Sequence, residues 1–335
     1  MSSAHSHYPA KKLSIDSTAD GKSSGHSKKF WILVSGGILT VIAIGLGVGL
    51  GVGLTQGGGG GGGDDGDSGS GSGDTNTPTT DLPPTNPNAT VGTFWRPATA
   101  DTWQIVLGYA LNDTSPDVSV YDIDLFTNEA SMIQQLHDQN RRVICYFSAG
   151  SYEDFRPDSS SFVSSDYAKP LDGWPGEYWI NTKSSNVRDI MTKRLALAAE
   201  KGCDGVDPDN VDGYDNDTGL DLTPADAVDY LTFLAIGAHA LNMSIGLKNS
   251  GQIVNATLDM MQWEINEQCV QYDECALFQP FIEAGKPVFG IEYPDSAPTV
   301  SESSKEAACA KNDPSTQGFS MVLKEMLLGN WMETC

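Results

Sequence analysis

Histidine is scarce in this chain and nearly missing from its C-terminal two thirds. The 335 residues include 5 histidines, and only His137 and His239 lie beyond residue 94. Both fall inside segments with helical periodicity, away from the ends of apolar runs. Serine or cysteine nucleophiles that need a histidine base are therefore disfavoured, and so are zinc sites built from Cys and His.

Basic residues are also few. The chain has 20 Lys and Arg against 44 Asp and Glu, and residues 94–335 hold 15 against 37. A surface this acidic repels nucleic acid and anionic lipid and attracts polycations, although solubility alone also explains it. We therefore expect no nucleic-acid partner.

The chain lacks the Gly-rich fingerprint of dinucleotide-binding folds, even though it contains 36 glycines. Residues 57–63 are seven consecutive glycines with no lysine and no flanking strand pattern, so a phosphate-binding loop is excluded. Residues 55–93 are predicted to be a Gly/Ser/Pro/Thr-rich linker. Residues 1–29, rich in Ser, Lys and His, are predicted to be a disordered cytosolic tail.

Residues 30–54 form an uncharged run of 25 residues, long enough to cross a bilayer core of about 30 Å. Lys28 and Lys29 precede the run, and Asp64 and Asp65 follow it. The positive-inside bias predicts a single-pass type II membrane protein whose C-terminal domain is extracellular. A cleaved signal peptide is the alternative, but the run is longer than a signal h-region.

All six cysteines follow that run, so they lie on the oxidising side of the membrane in the predicted topology. Six cysteines allow fifteen pairings. We expect Cys269 to pair with Cys275 across a short loop and Cys309 with Cys335 near the C-terminus, which leaves Cys145 for Cys203. Five N-glycosylation sequons fit the same side, at Asn88, Asn112, Asn216, Asn242 and Asn255.

Apolar strand-like runs alternate with helical patterns from residue 94 to the C-terminus. The alternation predicts an α/β fold, a (β/α)8 TIM barrel over residues 94–335, and an open doubly wound sheet is the alternative. The helical patterns cover 128–140, 186–201, 223–241, 274–284 and 301–312, with a start at Thr223-Pro224 and a stop at Gly202. The predicted strands are 103–109, 118–126, 141–150, 203–210, 242–249, 258–266, 286–293 and 318–324.

Carboxylates cluster at the ends of the predicted strands. Asp207 and Asp209 alternate with Val206 and Pro208, so both acids point to the same face of their strand. If Val206 packs under the helices, both acids line the barrel mouth, where substrates bind. The plainer alternative is one helix-capping aspartate and one solvated aspartate. The other strand-end acids are Asp122, Asp124, Glu264, Glu267 and Glu292.

Six motifs together resemble one known family. They read WQIVLGYAL, VICYFSAGSYEDFRPD, GWPGEYWIN, KGCDGVDPDNVDGY, GLKN and NEQCVQYDEC. Their order and spacing resemble glycoside hydrolase family 114, the endo-α-1,4-polygalactosaminidases, over essentially all of 94–335. The resemblance implies a (β/α)8 barrel that hydrolyses α-1,4-linked galactosamine without a cofactor. Similar fungal members are membrane-anchored, face outward and act on galactosaminogalactan of the cell wall and biofilm matrix.

The resemblance also implies the site. Asp209 matches the nucleophile and Glu267 the general acid/base of a retaining mechanism. The implied partner is a cationic galactosamine-containing polysaccharide, and no metal is implied. Positions that match the barrel mouth, and are expected to bind sugar, are Tyr109, Asp124, Tyr146, Ser148, Asp207, Asn210, Lys248, Asn249 and Glu292.

Two other functions stay open. A non-catalytic cell-wall polysaccharide-binding barrel would use the same cleft without cleavage. A metal-dependent barrel hydrolase would use Asp124, Asp207 and Asp209 as oxygen ligands. The stereochemical outcome also stays open, because it depends on the separation of the two carboxyl groups.

Overall fold

The structure is a computed structural model, and it describes residues 94–335. The predicted tail, membrane anchor and linker, residues 1–29, 30–54 and 55–93, lie outside the described residues. Between residues 94 and 335, no helix is both long enough and apolar enough to cross a membrane.

All eight predicted strands are present, most of them shorter at both ends than the apolar runs that predicted them. Three short strands between Ser151 and Ile180, and one at the C-terminus, were not predicted. The strands are β1 (Trp103–Val106), β2 (Val120–Asp124), β3 (Arg142–Ser148), β4 (Ser151–Glu153), β5 (Tyr167–Pro170), β6 (Glu177–Ile180), β7 (Gly205–Asp209), β8 (Ser244–Lys248), β9 (Trp263–Glu267), β10 (Val288–Glu292), β11 (Ser320–Leu323) and β12 (Glu333–Thr334).

The predicted helices are also present, although only residues 279–283 of the predicted 274–284 are α-helical, and the short helices at 254–257 and 269–272 were not predicted. One helix begins after Thr223 and another ends at Gly202, where the sequence signals place these boundaries. Ser184 and Thr223 cap helices through their side chains, and Gly202 ends a helix with φ 92°. Such a left-handed residue favours glycine. The helices are α1 (Ala130–Asp138), α2 (Ser185–Lys201), α3 (Pro224–Ala240), α4 (Val254–Thr257), α5 (Cys269–Tyr272), α6 (Gln279–Glu283) and α7 (Glu302–Cys309).

The main sheet has the strand order expected of a TIM-like barrel. Strands β1, β2, β3, β7, β8, β9, β10 and β11 are parallel neighbours in that order, and β12 adds antiparallel to β11. Where the two ends of the parallel array meet, Trp103 Nε1 donates to the Ser320 carbonyl oxygen over 2.9 Å. Lys324 Nζ donates to Gln104 Oε1 over 2.8 Å, so side chains bridge β1 and the residues at β11.

Two apolar clusters fill the two sides of this sheet. The larger cluster contains helix residues such as Leu136 and Leu234, so it lies between strands and helices. The smaller cluster, which includes Trp103, Trp263 and Phe289, draws on the strands and Leu328 and fills the inside of the barrel. Ile144 belongs to the inner cluster while its neighbours on β3 belong to the outer one, as the period of two in a strand requires.

Strands β4, β5 and β6 form a separate antiparallel sheet with β6 in the middle. We call it the inserted sheet, since it lies in the chain between β3 and α2, where a simple βα unit has only a loop. Gly150 leads into it, and a Cβ atom there would lie 1.6 Å from the Asn210 carbonyl oxygen. Only glycine fits at that position.

The three disulfides join the cysteines as expected: Cys145–Cys203, Cys269–Cys275 and Cys309–Cys335. The first joins β3 to the second residue after α2, and the second closes the loop that follows β9. The two histidines lie on helices, as expected. His137 contacts Asp204 and His239 contacts Gln262, so both serve packing away from the strand ends.

Candidate active site

Three charged side chains stand at the ends of three neighbouring strands. Asp209, Lys248 and Glu267 are the last residues of β7, β8 and β9, which lie side by side in the sheet. The residue after each is in the left-handed region, with φ of 60° at Asn210, 49° at Asn249 and 62° at Gln268. Asparagine tolerates this conformation better than most residues. The chain therefore turns away at once and leaves the three side chains at one edge.

Lys248 lies between the two acids. Its Nζ is 3.3 Å from Asp209 Oδ1 and 3.3 Å from Glu267 Oε2. The lysine side chain is 2% exposed, whereas those of Asp209 and Glu267 are 18% and 26% exposed. Burial on its own lowers the pKa of Lys248, but the surrounding carboxylates outweigh it and hold that pKa well above its ordinary value. The ammonium group therefore stays charged and bridges two accessible acids.

Asp209 is held by donors on both of its oxygens. The Tyr146 hydroxyl donates to Oδ2 over 2.9 Å, and the backbone N–H of Asn210 donates to Oδ1 over 2.7 Å. Burial, and then the charge of Asp209, raises the pKa of Tyr146 well above its ordinary value. The phenol keeps its proton and remains a donor, so the carboxylate plane of Asp209 is fixed from two sides.

Glu267 is held in a similar way. The Tyr293 hydroxyl donates to Oε1, and Asn249 Nδ2 lies 3.4 Å from Oε2. Asn249 also accepts the backbone N–H of Glu267 through Oδ1 over 2.9 Å. Burial, followed by the charge of Glu267, raises the pKa of Tyr293 well above its ordinary value. Each of the two acids therefore has one tyrosine donor, one asparagine and the common lysine.

Two more carboxyl groups lie beneath this edge, inside the barrel. Asp122 and Asp207 are fully buried. Among the residues that the structure describes, none of their four carboxyl oxygens has a hydrogen-bond partner. Burial raises the pKa of both, and the charge of Asp207 further raises that of Asp122. The surroundings of the two carboxyl groups therefore favour the protonated, neutral form.

The expectation that Asp207 lines the barrel mouth is therefore wrong, because the residue lies deeper inside the barrel. Its face of β7 is right, since Val206 belongs to the outer apolar layer. However, Asp207 is two residues further down the strand than Asp209 and is 0% exposed. Alternation along a strand predicts the face of a side chain and says nothing about how deep it lies. The helix-capping alternative for these aspartates is not observed either.

Asp124 and Glu292 were expected to bind sugar, but both are buried against protein groups. Asp124 Oδ2 is 2.6 Å from Arg156 NH1, which comes from the segment after β4. Glu292 Oε1 accepts the backbone N–H of Val270 over 2.8 Å, at the start of α5. Burial raises the pKa of Glu292 to about 7, although that hydrogen bond lowers it. Glu292 therefore anchors the turn that follows Glu267.

The remaining predicted positions divide between the site and its surroundings. Ser148 is fully buried, and its Oγ accepts from Asn210 Nδ2 over 2.9 Å. Tyr109 stands at the β1–β11 junction, where its hydroxyl accepts the backbone N–H of Asn330 over 2.8 Å. Tyr146, Asn210, Lys248 and Asn249 lie within hydrogen-bond or ion-pair distance of Asp209 or Glu267.

Sequence reasoning did not assign Tyr293 as the partner of Glu267, and it did not single out Ser151 or Glu177 of the inserted sheet. Tyr293 directly follows the end of β10, so its place at a strand end was the signal for it. Ser151 and Glu177, on β4 and β6, connect to the site only through tertiary contacts. No periodicity in the sequence marks them.

The three aspartates of the metal hypothesis do not converge. Asp124 pairs with Arg156 and Asp209 with Lys248, whereas Asp207 is buried inside the barrel. Within residues 94–335, no three His, Cys, Asp or Glu side chains are grouped to hold a metal ion.

The arrangement defines a class of enzyme. Two carboxylic acids on separate strands, at the carboxyl edge of a parallel TIM-like barrel, are the chemical groups that glycosidic bond hydrolysis uses. The fold and the site are those of a glycoside hydrolase.

Comparisons with known proteins assign the family. The sequence profile of glycoside-hydrolase family GH114 matches residues 84–335, and the chain belongs to this family. Among solved structures, the chain is similar to Aspergillus fumigatus Ega3, whose crystal structure was determined in complex with galactosamine. The two sequences are 56% identical, the match covers 74% of this chain and 100% of the Ega3 chain, and the TM-score is 0.70.

The glycoside hydrolase domain of PelA from Pseudomonas aeruginosa shares the fold at much lower identity. It is 11% identical over 69% of this chain and 98% of its own, with a TM-score of 0.55. No curated protein matches the chain.

Proposed function

We propose that this chain is an endo-acting glycoside hydrolase that cleaves α-1,4-linked galactosamine in galactosaminogalactan-type polymers with retention of configuration. Asp209 is the nucleophile and Glu267 the general acid/base. The observation that carries the proposal is the bridge from one lysine to both acids, with Lys248 Nζ 3.3 Å from each. It brings two accessible carboxyl groups to one common cation.

The reaction has two steps. Asp209 attacks the anomeric carbon while Glu267 gives its proton to the leaving oxygen, so the glycosidic bond breaks and a glycosyl ester forms on Asp209. Glu267 then takes a proton from water, whose oxygen attacks the same carbon and releases Asp209. Tyr146 and the Asn210 N–H hold Asp209 for attack, and Tyr293 and Asn249 hold Glu267 against the leaving oxygen.

The distances favour retention. Because Lys248 Nζ is 3.3 Å from both acids, Asp209 Oδ1 and Glu267 Oε2 are separated by at most twice that distance. Retaining enzymes place the carboxyl groups about 5 to 5.5 Å apart, and inverting enzymes about 6.5 to 9.5 Å. The upper bound reaches only the lower edge of the inverting range.

The substrate class rests on two observations. Ega3, 56% identical to this chain, has been crystallised with galactosamine. The region from residue 94 onward carries 15 Lys and Arg against 37 Asp and Glu, so its field attracts a cationic polymer. Deacetylated galactosamine chains are cationic at and below neutral pH, whereas nucleic acid is repelled by the same field.

The cellular setting forms part of the proposal. The uncharged run 30–54, with lysines before it and aspartates after it, supports a type II anchor that presents the catalytic domain outside the cell. The three disulfides among the described residues agree with an oxidising compartment.

The test is hydrolysis of a defined α-1,4-galactosamine oligosaccharide by the soluble 94–335 fragment and the full chain. We expect new reducing ends from internal bonds, with a loss of about 10²- to 10⁴-fold in Glu267→Gln and a larger loss in Asp209→Asn. Asp189→Asn and Glu283→Gln, at exposed helix positions, are matched controls with unchanged rates. Saturable binding without any new reducing end would instead establish the non-catalytic binding function.

A further inference from the structure

A chain of hydrogen bonds runs from the inserted sheet to Asp209. Asn210 Nδ2 lies 2.9 Å from Ser148 Oγ and 3.4 Å from Asp209 Oδ2. Ser148 Oγ lies 2.6 Å from Ser151 Oγ, and Ser151 Oγ lies 3.3 Å from Glu177 Oε2. Ser148 and Ser151 are fully buried, and Glu177 is 6% exposed.

The direction of this chain follows from counting donors and acceptors. Ser148 Oγ also accepts the backbone N–H of Ser151 over 3.0 Å. A hydroxyl has two acceptor positions and one proton. Ser151 Oγ donates to Glu177 Oε2, because a carboxylate oxygen accepts. Ser151 then has no proton left for Ser148, so the Ser148 proton goes to Ser151 Oγ.

This direction selects one orientation of the Asn210 amide. The two ends of an asparagine amide have the same shape, so its hydrogen-bond partners decide which end faces which neighbour. Here Ser148 has no proton left to give to an amide oxygen, so the NH₂ end must face it. That same NH₂ end is the one directed at Asp209 Oδ2. If the amide turned over, its oxygen would face the carboxylate.

We propose that Glu177 is a positioning residue for the nucleophile, acting through Ser151, Ser148 and Asn210 to keep an N–H donor on Asp209. The inference rests on the proposed role of Asp209. Glu177 lies on β6, outside the barrel strands, and the hydrogen bonds above connect it to Asp209 through three side chains. Its carboxylate accepts the Ser151 proton and so gives this chain of hydrogen bonds its direction. The inserted sheet thereby takes part in aligning the attacking oxygen.

A double-mutant cycle with the oligosaccharide substrate tests this. Ser151→Ala cuts the chain, and Asn210→Gly removes the amide while tolerating the φ of 60° at that position. We expect Ser151→Ala to lower kcat about 10- to 100-fold with little change in KM or in the melting temperature. In the Asn210→Gly background the same substitution should change kcat less than about twofold, since the group through which it acts is gone.

Controls separate this effect from general damage to the inserted sheet. Ser165→Ala changes an exposed serine of the same segment and should leave kcat unchanged. Glu177→Leu should match Ser151→Ala, whereas Glu177→Gln keeps an acceptor oxygen and should restore kcat to within about threefold of the parent. Equal rates for Ser151→Ala and Ser165→Ala, a full Ser151→Ala effect without the Asn210 side chain, or equal rates for Glu177→Leu and Glu177→Gln would overturn the proposal.

A second measurement does not depend on the substrate. The Asn210 side-chain NH₂ should exchange with solvent at least about tenfold faster in Ser151→Ala than in the parent, as followed by ¹⁵N-resolved NMR. Equal exchange rates would contradict the chain. An active Asp209→Asn enzyme would refute the proposed nucleophile, and the exchange experiment would still decide whether Glu177 orients Asn210.

Discussion

The proposed catalytic edge, formed by Asp209, Lys248 and Glu267, and the inserted sheet both pair acids with buried cations, but they differ in how far the acids are exposed. At the edge, one cation, Lys248, serves Asp209 and Glu267, both of which remain partly exposed. Beside the inserted sheet, Arg156 and Arg194 each pair with acidic side chains, and we call this group the arginine network. Arg156 is paired with Asp124 and Glu153, and Arg194 with Asp158.

The difference in exposure distinguishes acids that can take part in a reaction from acids that stabilise the fold. Acids that stay open to solvent, as Asp209 and Glu267 do, can change charge during a reaction. Acids as buried as Asp124 and Glu153, which are 2% and 4% exposed, cannot lose their arginine without a large cost in stability. We therefore expect substitutions at the edge to act mainly on turnover and substitutions in the arginine network to act mainly on folding.

Among the substitutions that test this comparison, the largest effect is expected at Lys248. Replacing it by methionine leaves Asp209 and Glu267 facing each other without their common cation, so both lose their alignment. We expect kcat for the oligosaccharide to fall at least about 100-fold. Lys169→Met is the matched control, because Lys169 pairs with Asp217 at the exposed surface. If the Lys248→Met enzyme were as active as Lys169→Met, Asp209 and Glu267 would not depend on Lys248 for their alignment, and the account would be contradicted.

The second effect is expected at Arg156, and it concerns the free energy of unfolding. Arg156→Met leaves the buried carboxylates of Asp124 and Glu153 without their nearest cation. Breaking a buried pair in this way costs about 3 to 5 kcal/mol of unfolding free energy. Arg142→Met, which removes a half-exposed arginine from Asp204, should cost no more than about 1 kcal/mol. Denaturant unfolding of the two variants measures the difference, and similar losses would contradict a separate supporting network.

A smaller effect, visible only as a pH dependence, is expected at Glu292. Its folded pKa is raised to about 7 from 4.5, so the folded protein binds a proton that the unfolded chain has released. Stability from this group is therefore complete below pH 4.5 and declines as pH rises through 7. The loss is up to about 3 kcal/mol.

Glu292→Gln keeps an acceptor for the Val270 N–H and cannot titrate. As the pH rises from 4.5 to 8, the unfolding free energy of the parent should fall more than that of the variant. Parallel curves would show that Glu292 does not titrate in this range.

The sequence predicted the catalytic edge far better than the inserted sheet. The eight main strands follow from apolar runs, and the positions of Asp209, Lys248 and Glu267 follow from where those runs end. The disulfide pairing was also confirmed. Strands β4, β5 and β6 have only three or four residues each, with tyrosines, prolines and charges in place of an apolar run. Their pairing depends on tertiary contacts.

The same reason explains why individual roles were misjudged. Asp124 and Glu292 are at strand ends by sequence, but their partners, Arg156 and the Val270 N–H, come from other segments, and Asp207 is covered completely. Whether a strand-end acid faces substrate or protein depends on what covers it. That information lies in the packing and in no local pattern.

The most direct test of the central claim is the anomer that appears first when the enzyme cleaves an α-1,4-galactosamine oligosaccharide. Proton NMR during the first minutes distinguishes the two anomeric protons before they equilibrate. The Asp209–Lys248–Glu267 geometry predicts the α-anomer, as double displacement through Asp209 requires. Initial release of the β-anomer would contradict the account, because water and not Asp209 would then be the attacking group.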